Sequence, residues 1–198
     1  MKIIGITGGT GAGKTTALHA LKALHAWIID ADRVYHDLTR ENQNLRQELE
    51  QRFGTIYSEA GLDRKKLGNI VFNDPEALED LNKLTHRYVG EEIDRQLNLA
   101  RAEERPIAAI DAIGLLESGL FEKCDATVAV IAPVELRIHR VMAREGISED
   151  YARMRVMAQK DEAFFRSRCD YILENTEEDT PERFGARALA LFQQILNA

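Results

Sequence analysis

Eight residues near the start of the chain, Gly8-Gly9-Thr10-Gly11-Ala12-Gly13-Lys14-Thr15, leave few folds open to it. They satisfy the pattern GxxxxGK[ST] and follow directly on an apolar run of strand length at residues 2–6. They lead into a stretch whose apolar residues, Ala17, Leu18, Leu21 and Leu24, share one helical face. A strand, a glycine-rich turn and a helix in that order form a cradle for phosphate. Glycines let the backbone wind its N–H groups around phosphate oxygens, and the helix N-terminus adds partial positive charge. Lys14 then reaches the β- and γ-phosphates of a nucleotide, the Thr15 hydroxyl ligates Mg2+, and the Thr16 hydroxyl comes near the α-phosphate. The motif thus assigns Gly8, Gly9, Gly11, Ala12, Gly13, Lys14, Thr15 and Thr16 to ATP, and by itself it speaks only for binding of a nucleotide's phosphates.

Further strand-length apolar runs occur at 27–30, 107–111, 126–131 and 171–173, with helical patterns between most of them. The alternation predicts an α/β fold, a five-stranded parallel sheet flanked by helices. With 198 residues, 44% of them hydrophobic, the chain has material for one sizeable core, so a single domain spanning 1–198 with insertions is expected. Helix starts are marked by Asp74-Pro75 and Thr180-Pro181, each a capping side chain followed by a proline suited to the first helical position. Leu78, Leu81, Leu84 and Tyr88 continue an apolar stripe after the first of these, and Ser148 can cap a helix after Gly146 ends the one before it. Residues 33–105 form a connection far longer than an ordinary loop, and the steps Leu45, Leu49, Phe53 predict a helical subdomain there. A sheet of this kind binds ligands at the carboxyl ends of its strands, where such an insertion overhangs the site and can hold an acceptor.

Beyond the loop, Asp111 closes the third apolar run, where a carboxylate can hold the water shell of a nucleotide's metal; a turn-capping aspartate is the plainer alternative. Asp30 and Asp32 end the second run, on the same rim as the loop if the sheet is parallel. One of them, with Asp32 preferred, can orient an acceptor hydroxyl and take its proton late in a loose transition state; a pair of turn-forming aspartates is the other reading. Arg137, Arg140 and Arg144 fall on neighbouring turns of one helix, and Arg155, Arg166 and Arg168 follow. Taken singly, each reads as a solvated or ion-paired surface residue. As a cluster on a mobile helical pair at roughly 137–168, they can close over a nucleotide and neutralise charge on the transferring group.

A formal net charge of −7 argues against a general nucleic-acid or anionic-membrane surface. No signal peptide or membrane-length apolar run is present, which leads us to expect a cytoplasmic protein. Cys124 and Cys169 lack metal-like or disulfide spacing and are expected to be reduced, structural thiols. The five histidines show no zinc spacing, and the lone Trp27 reads as core.

With these residues in hand, the sequence resembles the dephospho-coenzyme A kinases, a P-loop kinase family, over essentially its full length. The stretches carrying the resemblance are Ile4 to Thr16, Ile29-Asp30-Ala31-Asp32, Leu62-Asp63-Arg64 to Phe72 with Asp74-Pro75, and Arg140 through Gln159 to Asn175. The resemblance implies transfer of phosphate from ATP to the 3′-hydroxyl of the ribose of dephospho-CoA, with Mg2+ as cofactor. It casts Lys14, Asp32 and Arg140 as catalytic, Asn175 as ATP-binding beside Arg140, Thr15 and Asp111 as the metal's residues (Asp111 through water), and residues 33–105 as the acceptor-binding part. A monomer is expected. The chain departs from the family pattern at His86-Arg87, where His-Pro is usual, at Ile113, where a proline is usual, and at Lys160-Asp161 with Phe164-Phe165. Two other readings stay open on the residues: a kinase for another small acceptor such as a nucleoside monophosphate, and a nucleotide-binding switch. Asp111-Ala112-Ile113-Gly114 fits the DxxG of such switches, but the chain has no NKxD for guanine.

Overall fold

The computed structural model describes residues 1–198. In chain order the elements are β1 (Lys2–Thr7), α1 (Lys14–Ala23), β2 (Trp27–Asp30), α2 (Ala31–Glu41), α3 (Gln43–Phe53), β3 (Tyr57–Ser58), β4 (Gly61–Leu62), α4 (Arg64–Val71) and α5 (Pro75–Ala102). They continue with β5 (Ile107–Asp111), β6 (Ala126–Ile131), α6 (Val134–Glu145), α7 (Glu149–Met157), α8 (Glu162–Arg166), β7 (Tyr171–Glu174) and α9 (Pro181–Asn197). Two compact units result, one of Met1–Ile29 with Ala100–Ala198 and the other of Asp30–Leu99.

The first unit is built on a five-stranded sheet of order β2-β5-β1-β6-β7. β1 lies at its centre and runs parallel to β5, with Ile4 opposite Ala109, and to β6, with Ile6 opposite Val128. All six residues of β6 are buried, as a strand covered on both faces requires. Alternation then sorts them. Ile4 and Ile6 with Val128 and Val130 pack on Ala17 and Leu21 of α1 and on Phe184, Ala188 and Phe192 of α9. Ala129 and Ile131 join Phe165 of α8 in a separate cluster. Trp27 is half-buried on the edge strand, with the Arg105 guanidinium 5.7 Å from its ring centre. The capping signals operate as written: the side chains of Thr180 and Ser148 accept from the backbone N–H groups of Arg183 and Tyr151, and Gly146 ends α6 at φ 66°.

Leu45, Leu49 and Phe53 of α3 pack with Ile56, Leu67, Val71 and Ala77 to form the core of the second unit. Asp74 Oδ1 accepts from the N–H groups of Glu76 and Ala77 at the head of α5. The stripe on that helix differs from the expected one by one position. Ala77 is buried while Leu78 is 37% exposed, because neighbouring helical positions point about 100° apart and only one can face the core. The hairpin β3–β4, with Tyr57 opposite Leu62, had no legible signal, since two residues per strand are too few for alternation.

Both cysteines are unpaired, and burial pushes the Cys124 thiol up to about 12, which keeps it protonated and inert. No helix is long and apolar enough to cross a membrane.

Candidate active site

β1 hands the chain to the glycine loop at its carboxyl end. Gly8 takes φ 132°, and a Cβ there would stand 2.0 Å from the carbonyl oxygen of Val130 in β6, so no other residue fits this turn without moving a strand. Gly13 takes φ 111° at the head of α1 and supplies no side-chain cap. The Thr16 N–H turns back on the Gly13 carbonyl at 3.0 Å, and no side-chain cap takes the N–H groups of Lys14 and Thr15 before it, which are the ones a ligand can use. The Thr15 side chain at the helix head is exposed, and that of Thr16 is half-buried.

Lys14, the first residue of α1, donates from Nζ to Asp111 Oδ1 at 2.6 Å, with both side chains 15% exposed. Asp111 is the last residue of β5 and lies in register with Ile6, one residue before the end of β1. The sheet itself thus carries the carboxylate to the mouth of the loop. Alongside, Thr7 Oγ1 donates to the backbone carbonyl of Ile113 at 2.9 Å. On the side of Ile113 that contact uses only the main chain, so it does not depend on which residue stands there.

Behind the loop stand side chains from more than 120 residues further along the chain. Arg137 Nε donates to the Thr10 carbonyl at 3.0 Å, Arg140 Nη1 to the Gly11 carbonyl at 3.3 Å, and Asn175 Nδ2 to the Ala12 carbonyl at 2.9 Å. Three successive carbonyls are thereby drawn outward. Because a trans peptide points its N–H opposite its C=O, the N–H groups of Gly11 and Gly13 are turned away from these braces; that of Ala12 closes the turn on the Gly9 carbonyl. Arg140 Nη2 also donates to Asn175 Oδ1 at 3.1 Å, and Arg144 Nη2 to Thr10 Oγ1 at 3.1 Å.

One sequence reading changes here. Arg137, taken singly as a surface residue, is only 7% exposed, and burial pushes its pKa below the ordinary guanidinium value. Its helix α6 faces the loop with the i, i+3 positions of Arg137 and Arg140, and that spacing was the one available signal. Asn175, expected to bind ATP, is 4% exposed, its amide donating to the Ala12 carbonyl and accepting from Arg140. Gln159 was named only within the family pattern, with no role. Its Oε1 accepts from the Thr10 N–H at 2.9 Å and from Arg137 Nη2 at 2.5 Å, and no local pattern marks a glutamine just past a helix end.

In the second unit, Asp30 is the N-cap of α2: its Oδ1 accepts from the Arg33 N–H at 2.9 Å. The plainer reading therefore applies to Asp30. Asp32 lies in the first turn of α2 with an exposed side chain. The departure at Arg87 is absorbed by Glu48, which accepts from Arg87 Nη2 at 2.5 Å and from Tyr88 Oη at 2.8 Å. In the first unit, the Phe164 ring meets two cations, the Arg168 guanidinium 4.4 Å and Lys160 Nζ 5.1 Å from its centre.

Comparison with known proteins agrees with this geometry. The dephospho-CoA kinase family model matches residues 2–180. A dephospho-CoA kinase of Corynebacterium diphtheriae is 35% identical over 186 residues, covering 92% of this chain and 93% of the relative. Among solved structures, a Thermus thermophilus protein superposes with a TM-score of 0.83 at 32% identity, covering 100% of this chain and 98% of the other. The dephospho-CoA kinase of Campylobacter jejuni gives 0.69 at 27% identity, with the same coverage.

Proposed function

The chain belongs to the dephospho-CoA kinase family, and we propose on that premise that it transfers the γ-phosphoryl group of ATP to the 3′-hydroxyl of the ribose of dephospho-CoA, yielding coenzyme A. The observation that carries the reading is the pairing of Lys14 with Asp111 at 2.6 Å beneath a loop whose carbonyls are drawn outward. With ATP bound, Lys14 would move to the β- and γ-phosphates, and Asp111 would hold the metal's water shell.

The donors at this place suit Mg2+. The Thr15 hydroxyl and the Asp111 carboxylate are hard oxygen ligands, few in number, and Mg2+ keeps several waters and takes its other oxygens from phosphate. Bound there, the ion would neutralise charge on the phosphates. Lys14 adds a cation that follows the transferring group, and the N–H groups of the loop and of the head of α1 hold the chain of phosphates in line. We assign Arg140, whose guanidinium donates to the Gly11 carbonyl, to the nucleotide together with the loop it braces. On the acceptor side we assign Asp32, two residues past the end of β2, to orient the 3′-hydroxyl and accept its proton as the bond to phosphorus forms. The unit Asp30–Leu99, which covers most of residues 33–105, would bind the rest of the acceptor.

Initial rates with MgATP and dephospho-CoA, set against a panel of nucleosides and nucleotides at equal concentration, test the acceptor. Coenzyme A should form at a kcat/KM at least about a hundredfold above that for any other acceptor. No turnover of dephospho-CoA, or a nucleoside monophosphate turned over faster, would overturn the reading.

A further inference from the structure

Thr10 stands at the apex of the phosphate loop, and both polar groups of its backbone are held by side chains. Its N–H donates to Gln159 Oε1 at 2.9 Å, and its carbonyl accepts from Arg137 Nε at 3.0 Å. Arg137 Nη2 donates to the same Gln159 oxygen at 2.5 Å, which closes a ring of three hydrogen bonds around one residue of the loop. The fit is tight. A Cβ added to Gly9 would come within 2.1 Å of Arg137 Nη2 and 2.9 Å of Gln159 Oε1, and one added to Gly11 within 2.6 Å of the Arg137 carbonyl. With guanidinium and amide in these places, neither position leaves room for a side chain.

What fixes those places differs for the two side chains. Arg137 is on α6, buried, with its pKa lowered by burial. Gln159 lies two residues beyond α7, its own N–H donating to the Val156 carbonyl at 3.3 Å. α6 and α7 are in turn joined by Ile138, Val141, Ala152 and Val156. One oxygen therefore ties the end of α7 to the loop and to α6 together. An amide oxygen accepts two hydrogen bonds, and both are used here.

We infer that Gln159 is a positioning residue for ATP: its side-chain oxygen sets the loop apex and the buried Arg137 guanidinium in the arrangement that the nucleotide's phosphates require. Gln159 acts through Thr10 and Arg137 and has no assigned contact with either substrate. This rests on the proposed use of the loop for ATP. The chemistry also predicts which substitute works. Glutamate keeps an acceptor oxygen at the same reach, and methionine keeps the length while removing it.

The test measures the dissociation constant of MgATP by calorimetry, the KM for dephospho-CoA, and Tm, in the native protein, Gln159→Met and Gln159→Glu. Gln159→Met should weaken MgATP by about tenfold, the loss of two bonds at a charged centre, with the acceptor KM within about twofold of native. Gln159→Glu should bind MgATP within about threefold of native. MgATP bound by Gln159→Met as tightly as by the native protein would overturn the inference, as would equal losses in the two variants or an equal rise in both substrates' constants. If Gln159→Met does not fold, Arg137→Lys takes its place: it keeps the charge but cannot reach both partners, and native affinity in that variant would overturn the inference equally. Failure of the native protein to bind MgATP would instead remove the proposed function, and this inference with it.

Discussion

The phosphate loop and the Asp30–Leu99 unit use charge in opposite ways. At the loop, Lys14 and Asp111 meet at 15% exposure and Arg137 is buried against backbone, with Arg144 the exposed exception. In the second unit the ion pairs are on the outside, as with Arg46–Glu50, Arg52–Asp80 and Lys83–Glu79, while the interior is Leu45, Leu49, Phe53 and Ile56. Exposed pairs of this kind contribute little to stability, and a buried charge contributes only where its partners are in place. The difference teaches where substitution should be felt as chemistry and where as stability. Polar changes near the loop should alter catalysis, and in the second unit the apolar core should dominate.

The sharpest test of that division is Lys14→Ala. Removing the cation that follows the γ-phosphate should lower kcat by about a thousandfold, while Tm falls by only a few degrees as Asp111 loses this partner. A large fall in Tm with modest loss of rate would mean that the Lys14–Asp111 pair serves the fold instead. Asp32 is the place where the division should break, since it is an exposed polar residue of the second unit to which chemistry has been assigned. Asp32→Asn should lower kcat by about a hundredfold while leaving the KM for ATP within about threefold. A kcat near native would remove its role and leave the second unit's polar surface without a part in the reaction.

The same division governs what could be read from the sequence. The loop is legible because its requirements are local: eight adjacent residues, a strand before and a helix after. Asp111 was found because a strand of five residues ends on it, and the parallel register then carries it beside Ile6. The braces Arg137 and Gln159 belong to the same site but lie 127 and 149 residues from Thr10. Only the fold brings them there, so Arg137 looked like a surface residue and Gln159 like part of a family pattern. In the second unit, the i, i+4 steps of Leu45, Leu49 and Phe53 disclosed a core helix. The two-residue strands at Tyr57 and Gly61 disclosed nothing, because pairing at that length is decided by tertiary contacts.

Within the second unit, an apolar change should outweigh any change to its surface charges. Leu49 is fully buried, and Leu49→Ala should destabilise the protein by about 2–5 kcal/mol through lost burial and the cavity left behind, read from urea unfolding. The rate per folded molecule should stay near native. If it fell with stability, the second unit's core would be shaping the active site, and the division would be too simple.

The smallest effect is expected at Glu48, beside the departure at Arg87, and it has a definite sign. The Tyr88 hydroxyl, donating to it, and Arg87 hold the Glu48 carboxyl below its ordinary pKa. A carboxyl whose pKa is depressed on folding contributes its stability above the unfolded value and loses it as pH falls through the folded one. Glu48→Gln should therefore lower Tm by no more than about 3 °C at pH 7, and the gap from native should close as pH falls below about 4. Tm measured from pH 7 to pH 3 on both proteins checks this. A gap that persists at pH 3 would show that packing of Arg87 over the Tyr88 ring, 4.8 Å from its centre, holds this surface together and that the carboxylate does not.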